Sequence, residues 1–167
     1  MKQQNENKKQ VQEGCSQALK FLEKLAEGKI TFAEVLTISM EEMYSVAQIG
    51  YGYLENGKLD DALTIFEGLM ALNPYDPYFR TILGSIYLKK GNLDQAIAEY
   101  SFALESCKDD AETMANRGEA YFLAGEYQKA LHDFESALAR SEKIDEIRKQ
   151  YLSSLVQAAK EKQGSRL

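Results

Sequence analysis

Hydrophobic residues recur at the three- and four-residue spacing of amphipathic helices along most of the chain, and the arrangement itself repeats. When the sequence is written in rows of 34 residues from Met43, the same residue types occupy five columns in three successive rows. The columns hold Gly50, Gly84 and Gly118; Tyr53, Tyr87 and Tyr121; Gly57, Gly91 and Gly125; Ala62, Ala96 and Ala130; and Phe66, Tyr100 and Phe134. A fixed period of this kind is typical of stacked helical repeats, so the pattern predicts an all-α protein.

Each repeat is predicted to consist of two antiparallel helices, A and B. In the first repeat, the small residues Gly50 and Ala62 let the two helices approach closely, while Tyr53 and Phe66 fill the space beside them. Gly57 then ends helix A, because a residue without Cβ readily takes the left-handed conformation at a helix terminus.

Helix start signals agree with this period. Ser39 followed three residues later by Glu42 predicts a capping box, and Asp76 before Pro77 places a capping carboxylate ahead of a proline at the first helical position. Together these signals predict three repeats within residues 39–144, namely 43–76, 77–110 and 111–144.

An amphipathic stretch precedes the repeats. Its apolar residues follow helical spacing and end near Gly28; they are Val11, Cys15, Ala18, Leu19, Leu22 and Leu25. A second short segment, 30–36, leads into the capping box. We therefore expect residues 1–38 to form N-terminal helices that follow a polar, disordered tail.

A further helix is predicted after the third repeat. Its apolar residues are Ile144, Ile147, Tyr151, Leu155 and Ala159. A solenoid needs a terminal helix that covers the last repeat and presents a polar side to water. We assign 144–162 to that role, within a C-terminal region 145–167 that ends in a disordered tail.

Composition and charge exclude several function classes. Lys and Arg number 20 and Asp and Glu number 26, which gives a net charge of −6, so the basic surface that nucleic-acid binding requires is not expected. No apolar run approaches the roughly 20 residues of a membrane span, so direct membrane insertion is not expected either. With two cysteines and no stretch resembling a signal peptide, the sequence predicts a protein of the reducing cytoplasm.

Candidate catalytic chemistry is sparse. The single histidine, His132, lies on a predicted B helix with no second histidine to share a catalytic role. The acidic pairs at 60–61 and 109–110 stand at helix starts, where carboxylates cap exposed N–H groups. The sequence predicts neither an enzyme, nor a cofactor, nor a metal site.

Two stripes run along helix A of the first repeat. The first, Val46, Ile49, Gly50 and Tyr53, is predicted to pack into the solenoid. The second lies about a quarter to a half turn away and consists of Tyr44, Ala47, Tyr51 and Leu54. The second-stripe columns hold Tyr78, Thr81, Ser85 and Leu88 in the second repeat, and Glu112, Ala115, Glu119 and Phe122 in the third.

The 34-residue columns of small and aromatic residues resemble the tetratricopeptide repeat (TPR). The resemblance implies that the chain winds into a superhelix and that the second stripe lines its concave face, where such proteins bind extended peptides. The predicted peptide-binding residues are Tyr44, Ala47, Tyr51, Leu54, Tyr78, Thr81, Ser85, Leu88, Ala115 and Phe122. An alternative for Tyr44 is packing beneath the N-terminal helices. The columns lack the Lys, Arg and Asn residues with which some TPR domains grip a C-terminal carboxylate.

Residues 32–138 are similar to a narrower family, the class II chaperones of bacterial type III secretion. The similarity rests on a helical extension before three repeats and on residues 69–104, including Leu83-Gly84-Ser85 and Ala96-Ile97 followed by Tyr100-Ser101. It implies a bacterial cytoplasmic chaperone that holds an extended apolar segment of a secreted translocator protein before export. How far the groove extends into the third repeat is left open, because Glu112 and Glu119 place acid there.

Two alternatives stand beside this interpretation. The chain could be a general TPR scaffold that joins protein partners in a cell-envelope or other assembly. The N-terminal stripe has two interpretations as well: the family resemblance implies a homodimer formed through Leu19 and Leu22, whereas the stripe could instead fold back on the first repeat.

Overall fold

The computed structural model describes residue 20, residues 23–140 and residues 145–164, and all regular structure in these parts is helical. A helical turn at 23–26 precedes the main elements. These are α1 (Phe32–Val35), α2 (Met40–Glu55), α3 (Leu59–Leu72), α4 (Pro77–Lys89), α5 (Leu93–Ser106), α6 (Ala111–Leu123), α7 (Tyr127–Ala139) and α8 (Glu146–Gly164). The predicted all-α class is confirmed. The proposed dimer residues Leu19 and Leu22, most of the 11–25 stripe, Ile144 and both terminal tails lie outside the described residues.

The helices follow one another in space as they do along the chain. From α2 to α8, each helix packs against the next, and α1 contacts α3. The first helices of the three pairs also contact one another directly, α2 with α4 and α4 with α6. Stacked pairs of this kind form a solenoid, with α8 covering the last pair.

The predicted helix starts are confirmed in atomic detail. The backbone N–H of Glu42 donates to Ser39 Oγ at 3.2 Å, and the N–H of Ser39 donates to Glu42 Oε2 at 2.8 Å. Asp76 Oδ1 accepts from the N–H groups of Tyr78 and Phe79, at 2.9 and 3.2 Å, and so caps α4. Thr31 and Glu34 form a further capping box, at the start of α1, which the sequence analysis did not identify.

The glycine and aromatic columns explain the close packing within each pair. A Cβ added at Gly50, Gly84 or Gly118 would lie 2.8, 2.8 or 2.7 Å from a ring atom of Phe66, Tyr100 or Phe134, respectively. All three rings are fully buried. After the first helix of each pair, Gly57, Gly91 and Gly125 take φ values of +72°, +78° and +77°, as predicted.

Two predicted packing stripes are wrong in part: Gly50 and Tyr53 pack inward as predicted on α2, and Leu155 and Ala159 do so on α8, but the other described members are exposed. On α2, Val46 and Ile49 are 43% and 59% exposed, while Met43 and Ala47 are buried instead, because no repeat precedes α2 in the described ranges to cover its outer side. On α8, Ile147 is 82% exposed and Tyr151 is also exposed. Leu152, which was not predicted, is fully buried on that helix, and Leu155 and Val156 pack against the same core cluster.

Across the described ranges, no helix combines the length and the apolar character required to cross a membrane.

Candidate functional site

The helices α2, α4 and α6 place the second-stripe columns side by side on one surface, which we call the inner face. Direct contacts between these three helices bring equivalent columns next to one another. Passing from α2 to α6, one column holds Tyr44, Tyr78 and Glu112, and another holds Tyr51, Ser85 and Glu119. The character of the inner face therefore changes from aromatic at α2 to acidic at α6.

Three of the predicted peptide-binding side chains are not accessible on this face. Ala47 and Ala115 are fully buried, and Leu54 is buried as well. Their columns lie where neighbouring helices pack together, so these residues form the floor beneath the exposed side chains. The expectation that they contact a peptide directly is corrected accordingly, whereas Leu88 and Phe122 remain partly exposed.

Three tyrosines of the inner face at the α2–α4 end are exposed to a similar extent, and we call them the aromatic cluster. Tyr44, Tyr51 and Tyr78 are 40%, 41% and 40% exposed. The rings of Tyr44 and Tyr78 meet edge to face with centroids 5.8 Å apart, and Tyr44 makes a similar contact with Phe79 at 5.5 Å. Packed rings with one open side offer apolar area at a small cost in side-chain entropy.

A buried carboxylate fixes this cluster in place. Tyr44 Oη donates to Asp76 Oδ2 at 2.9 Å, while the other oxygen of Asp76 caps α4. Burial and the hydrogen bond to Asp76 raise the pKa of Tyr44, and burial together with the neighbouring Tyr51 raises the pKa of Tyr78. Both phenols therefore stay neutral across the physiological pH range and can donate hydrogen bonds.

The middle of the inner face consists of hydroxyl groups that already have partners. Thr81 Oγ1 lies 3.0 Å from Thr113 Oγ1, and Ser85 Oγ lies 3.0 Å from Tyr100 Oη. Ser85 also donates to the backbone carbonyl of Thr81. Burial raises the pKa of Tyr100 to about 12, against a smaller opposing effect of the Ser85 hydrogen bond. Thr81 and Ser85 are small and half-buried, so they leave room above themselves for a ligand.

An ionic network occupies the α6 end, and its cation comes from the terminal helix. Arg148 on α8 places Nη1 2.8 Å from Glu119 Oε1 and Nε 3.5 Å from Glu112 Oε2. Its Nη2 donates to Asn116 Oδ1 at 2.8 Å, and the guanidinium lies over the ring of Tyr151. Burial raises the pKa of Glu119 more than Arg148 lowers it.

Arg148 is a site residue that the sequence analysis missed. The sequence holds a usable indication: two acidic residues in the inner-face columns of the last repeat, followed by an arginine in the predicted terminal helix. The pairing itself depends on how α8 docks, which no local pattern encodes.

Other chemistry-bearing residues lie away from the inner face. Arg117 holds Asp133 with two hydrogen bonds of 2.7 and 2.9 Å, beside an open cleft of about 430 Å³ that His132 also lines. Within the described residues, no three His, Cys, Asp or Glu side chains are grouped so that they could hold a metal ion.

Comparison with known protein families identifies the repeat. Residues 79–143 match the family model of the tetratricopeptide repeat. No curated protein sequence is significantly similar to the chain.

Solved structures share the fold at low sequence identity. The Yersinia enterocolitica type III secretion chaperone SycD, in complex with a peptide of the translocator YopD, is 24% identical over 75% of this chain and 98% of its own, with a TM-score of 0.68. PcrH of Pseudomonas aeruginosa, in complex with the chaperone binding region of PopD, is 23% identical over 75% of this chain and 96% of its own, with a TM-score of 0.69.

The first TPR of Spaghetti, bound to an HSP90 peptide, is 22% identical over 72% of this chain and 94% of its own, with a TM-score of 0.64. The chain thus has the tetratricopeptide-repeat fold. It resembles the translocator chaperones of type III secretion in that fold.

Proposed function

We propose that this protein is a bacterial cytoplasmic chaperone that holds an extended apolar segment of a secreted, translocator-type protein on its inner face. The observation that carries the proposal is the aromatic cluster of Tyr44, Tyr51 and Tyr78, each of which is about two-fifths exposed on the inner face. Large apolar side chains aligned on one face of a folded protein mark an interaction site. The fold shared with two chaperones that were solved with translocator segments supports this choice of partner.

The physical logic suits such a task. A segment that must later enter a membrane is insoluble beforehand, and covering its apolar side chains with tyrosine rings removes them from water. The net charge of −6 keeps the complex soluble. No cofactor or catalytic step is required by this function.

Two pairs of tyrosine variants test the proposal. Tyr51→Ala and Tyr78→Ala remove inner-face rings, whereas Tyr53→Ala and Tyr87→Ala remove the partly buried rings that pack against the core. The probe is the tightest binder from overlapping synthetic peptides that span PopD and YopD, measured by fluorescence anisotropy beside thermal melting. Truncating a well-packed aromatic anchor costs about 2 kcal/mol of binding free energy, or roughly thirtyfold in affinity.

We expect the inner-face pair to lose that affinity with little change in Tm, and the core pair to lose Tm. The opposite result, in which Tyr51→Ala and Tyr78→Ala lower Tm and leave affinity intact, would mean that the inner face does not bind the peptide.

A general TPR scaffold that joins protein partners in a cell-envelope or other assembly is the second candidate, and the likeness in fold to the Spaghetti repeat, which was solved with an HSP90 peptide, supports it. Co-expression separates the two functions. A chaperone of the proposed kind keeps a co-expressed apolar translocator segment in the soluble fraction, and Tyr51→Ala abolishes this protection. A scaffold leaves the segment insoluble with or without Tyr51.

Self-association stays a prediction, since Leu19 and Leu22 lie outside the described residues. If the chain dimerises through them, replacing both with Glu should yield a folded monomer in light scattering. A wild-type chain that is already monomeric contradicts the idea.

A further inference from the structure

The charges at the α6 end of the inner face do not balance. Two carboxylates, Glu112 and Glu119, face one guanidinium, that of Arg148. In the described part of the chain, Arg148 is the only basic residue whose side-chain nitrogens lie within 4.0 Å of an oxygen of either carboxylate. The neighbouring Lys149 pairs with Glu146 instead. This end of the inner face therefore carries an excess negative charge.

Arg148 also divides its contacts rather than satisfying either acid fully. Its separation from Glu112 is 3.5 Å, longer than the 2.7–2.9 Å typical of a charge-assisted hydrogen bond. One of its Nη groups is used by the neutral side chain of Asn116. Glu112 keeps 49% of its side chain exposed, so an incoming cation can reach it.

Glu119, the more buried of the two acids, also indicates that the α6 end can accept a further cation. The Glu119 side chain is 22% exposed, and the loss of hydration on burial outweighs the attraction of Arg148 in setting its pKa. A second cation near Glu119 would offset part of that cost.

The aromatic and acidic groups occupy equivalent positions on adjacent helices. Tyr44 and Tyr78 share a column with Glu112, and Tyr51 shares one with Glu119. Packed helices lie about 8–10 Å apart, and an extended chain advances about 3.3 Å per residue. A peptide that crosses from α4 to α6 therefore spans roughly three residues between a tyrosine contact and an acidic contact.

We propose that the segment held on the inner face is apolar where it crosses α2 and α4 and carries a lysine or arginine about three residues further on. That basic side chain pairs with the exposed carboxylate of Glu112, next to the ion pair of Glu119 and Arg148. The inference rests on the proposed function and specifies the chemistry of its ligand.

The probes for this inference are capped synthetic peptides with a shared core in which leucine alternates with serine. A lysine, a glutamine or a glutamate stands three residues beyond the core, at the N-terminal end in one set and at the C-terminal end in the other. In one of the two sets, we expect the lysine peptide to bind about threefold to tenfold more tightly than the glutamine peptide, and the glutamate peptide to bind more weakly still.

The variant Glu112→Gln should remove the advantage of lysine, so that the lysine and glutamine peptides bind about equally, and Glu119→Gln should reduce that advantage. Glu105→Gln is the matched control, because it makes the same charge change at an exposed position of α5. It should preserve the advantage. Glu112→Gln alone suffices if Glu119→Gln fails to fold, since Glu112 is half exposed and has only the long contact with Arg148.

The outcomes separate this inference from the proposed function. Equal binding of the lysine and glutamine peptides in both sets, with Tyr51→Ala still weakening both, overturns the inference and leaves the groove function standing. A lysine advantage that persists in Glu112→Gln, or that disappears equally in Glu105→Gln, also overturns it. Failure of every peptide to bind overturns both.

Discussion

The two ends of the inner face share one backbone arrangement and differ in almost everything else. At the α2–α4 end, aromatic rings pack edge to face around the buried Asp76 and keep an open side. At the α6 end, the same columns hold Glu112 and Glu119, and Arg148 reaches them from α8. The repeat period thus decides where a side chain points, while the residue in the column decides whether the surface remains available to a ligand.

The comparison also shows how much each end depends on elements outside the repeat. The aromatic end is built from α2, α4 and the capping residue between them. The ionic end requires α8, since without Arg148 the partly buried Glu119 and the exposed Glu112 would have no cation between them. We therefore expect variants at the aromatic end to act mainly on binding, and replacement of Arg148 at the ionic end to act mainly on stability.

The largest expected effect on the free energy of unfolding comes from the glycine–aromatic packing that the two ends share. Gly50→Ala and Gly118→Ala place a Cβ 2.8 and 2.7 Å from the fully buried rings of Phe66 and Phe134. Overpacking of this kind costs about 2 to 3 kcal/mol of unfolding free energy, and we expect similar losses at both ends. Gly52→Ala is the control on α2: with nothing within 4 Å of its Cβ, it should gain about 0.5 to 1 kcal/mol.

Urea denaturation measures all three variants. If Gly118→Ala were tolerated while Gly50→Ala unfolds the chain, the two ends would not share one scaffold.

Much of that scaffold could be predicted because its causes are local. A capping box joins residues three positions apart, as Ser39 and Glu42 do, and Gly57 takes its positive φ within a single turn. The glycine and aromatic columns could be identified because the period presents them three times. Ala47 was assigned to the peptide-binding face, but its burial was missed, since burial depends on how neighbouring helices pack.

The features that could not be predicted depend on contacts with neighbouring helices, which the pattern of residues along the chain does not show. Whether Val46 and Ile49 are buried depends on what precedes α2, and their apolar character alone predicted packing. Arg148 is 32 residues away from Asn116, to which it donates, so only the docking of α8 brings the two together. The acidic columns were visible in the sequence, but the cation that partly balances them was not.

Removing that cation is the second test. Arg148→Ala leaves Glu119 partly buried without its ion pair and should cost about 1.5 kcal/mol of unfolding free energy, less than a fully buried pair because water reaches the site. Lys149→Ala makes the same charge change one residue away, where the ion pair with Glu146 is long, at 3.8 Å, and should cost less than about 0.5 kcal/mol. Equal losses in the two variants would mean that the ionic network does not stabilise the α6 end.

The junction between the two ends is tested by Tyr100→Phe. The variant removes the hydrogen bond to Ser85, for an expected loss of about 1 kcal/mol near neutral pH. Burial raises the pKa of Tyr100 to about 12, so the folded state keeps a proton that the unfolded state loses above about pH 10. The wild-type chain should therefore lose stability as the pH rises from about 10 to 12, and the variant should lack that contribution.

Tyr75→Phe, at an exposed position in the α3–α4 loop, is the control for this measurement. Alkaline unfolding followed by circular dichroism should show the same pH dependence in Tyr75→Phe as in the wild-type chain. If Tyr100→Phe also retained it, the tyrosine would not be the buried group that links the two ends.

The smallest expected effect concerns how the contribution of Glu119 to stability at the α6 end changes with pH. Because burial raises the pKa of Glu119, the folded state binds a proton more tightly than the unfolded state does. The stability that this proton contributes is fully present below the ordinary glutamate pKa and is lost as the pH rises through the raised value. The variant Glu119→Gln cannot titrate. Its unfolding free energy relative to that of the wild-type chain should therefore increase as the pH rises above the ordinary glutamate pKa, whatever the constant difference that losing the ion pair adds. Glu105→Gln should show no such trend. A decrease with pH instead would mean that Arg148 more than compensates for the burial of Glu119, and the ionic end would then have no need of a cation from a ligand.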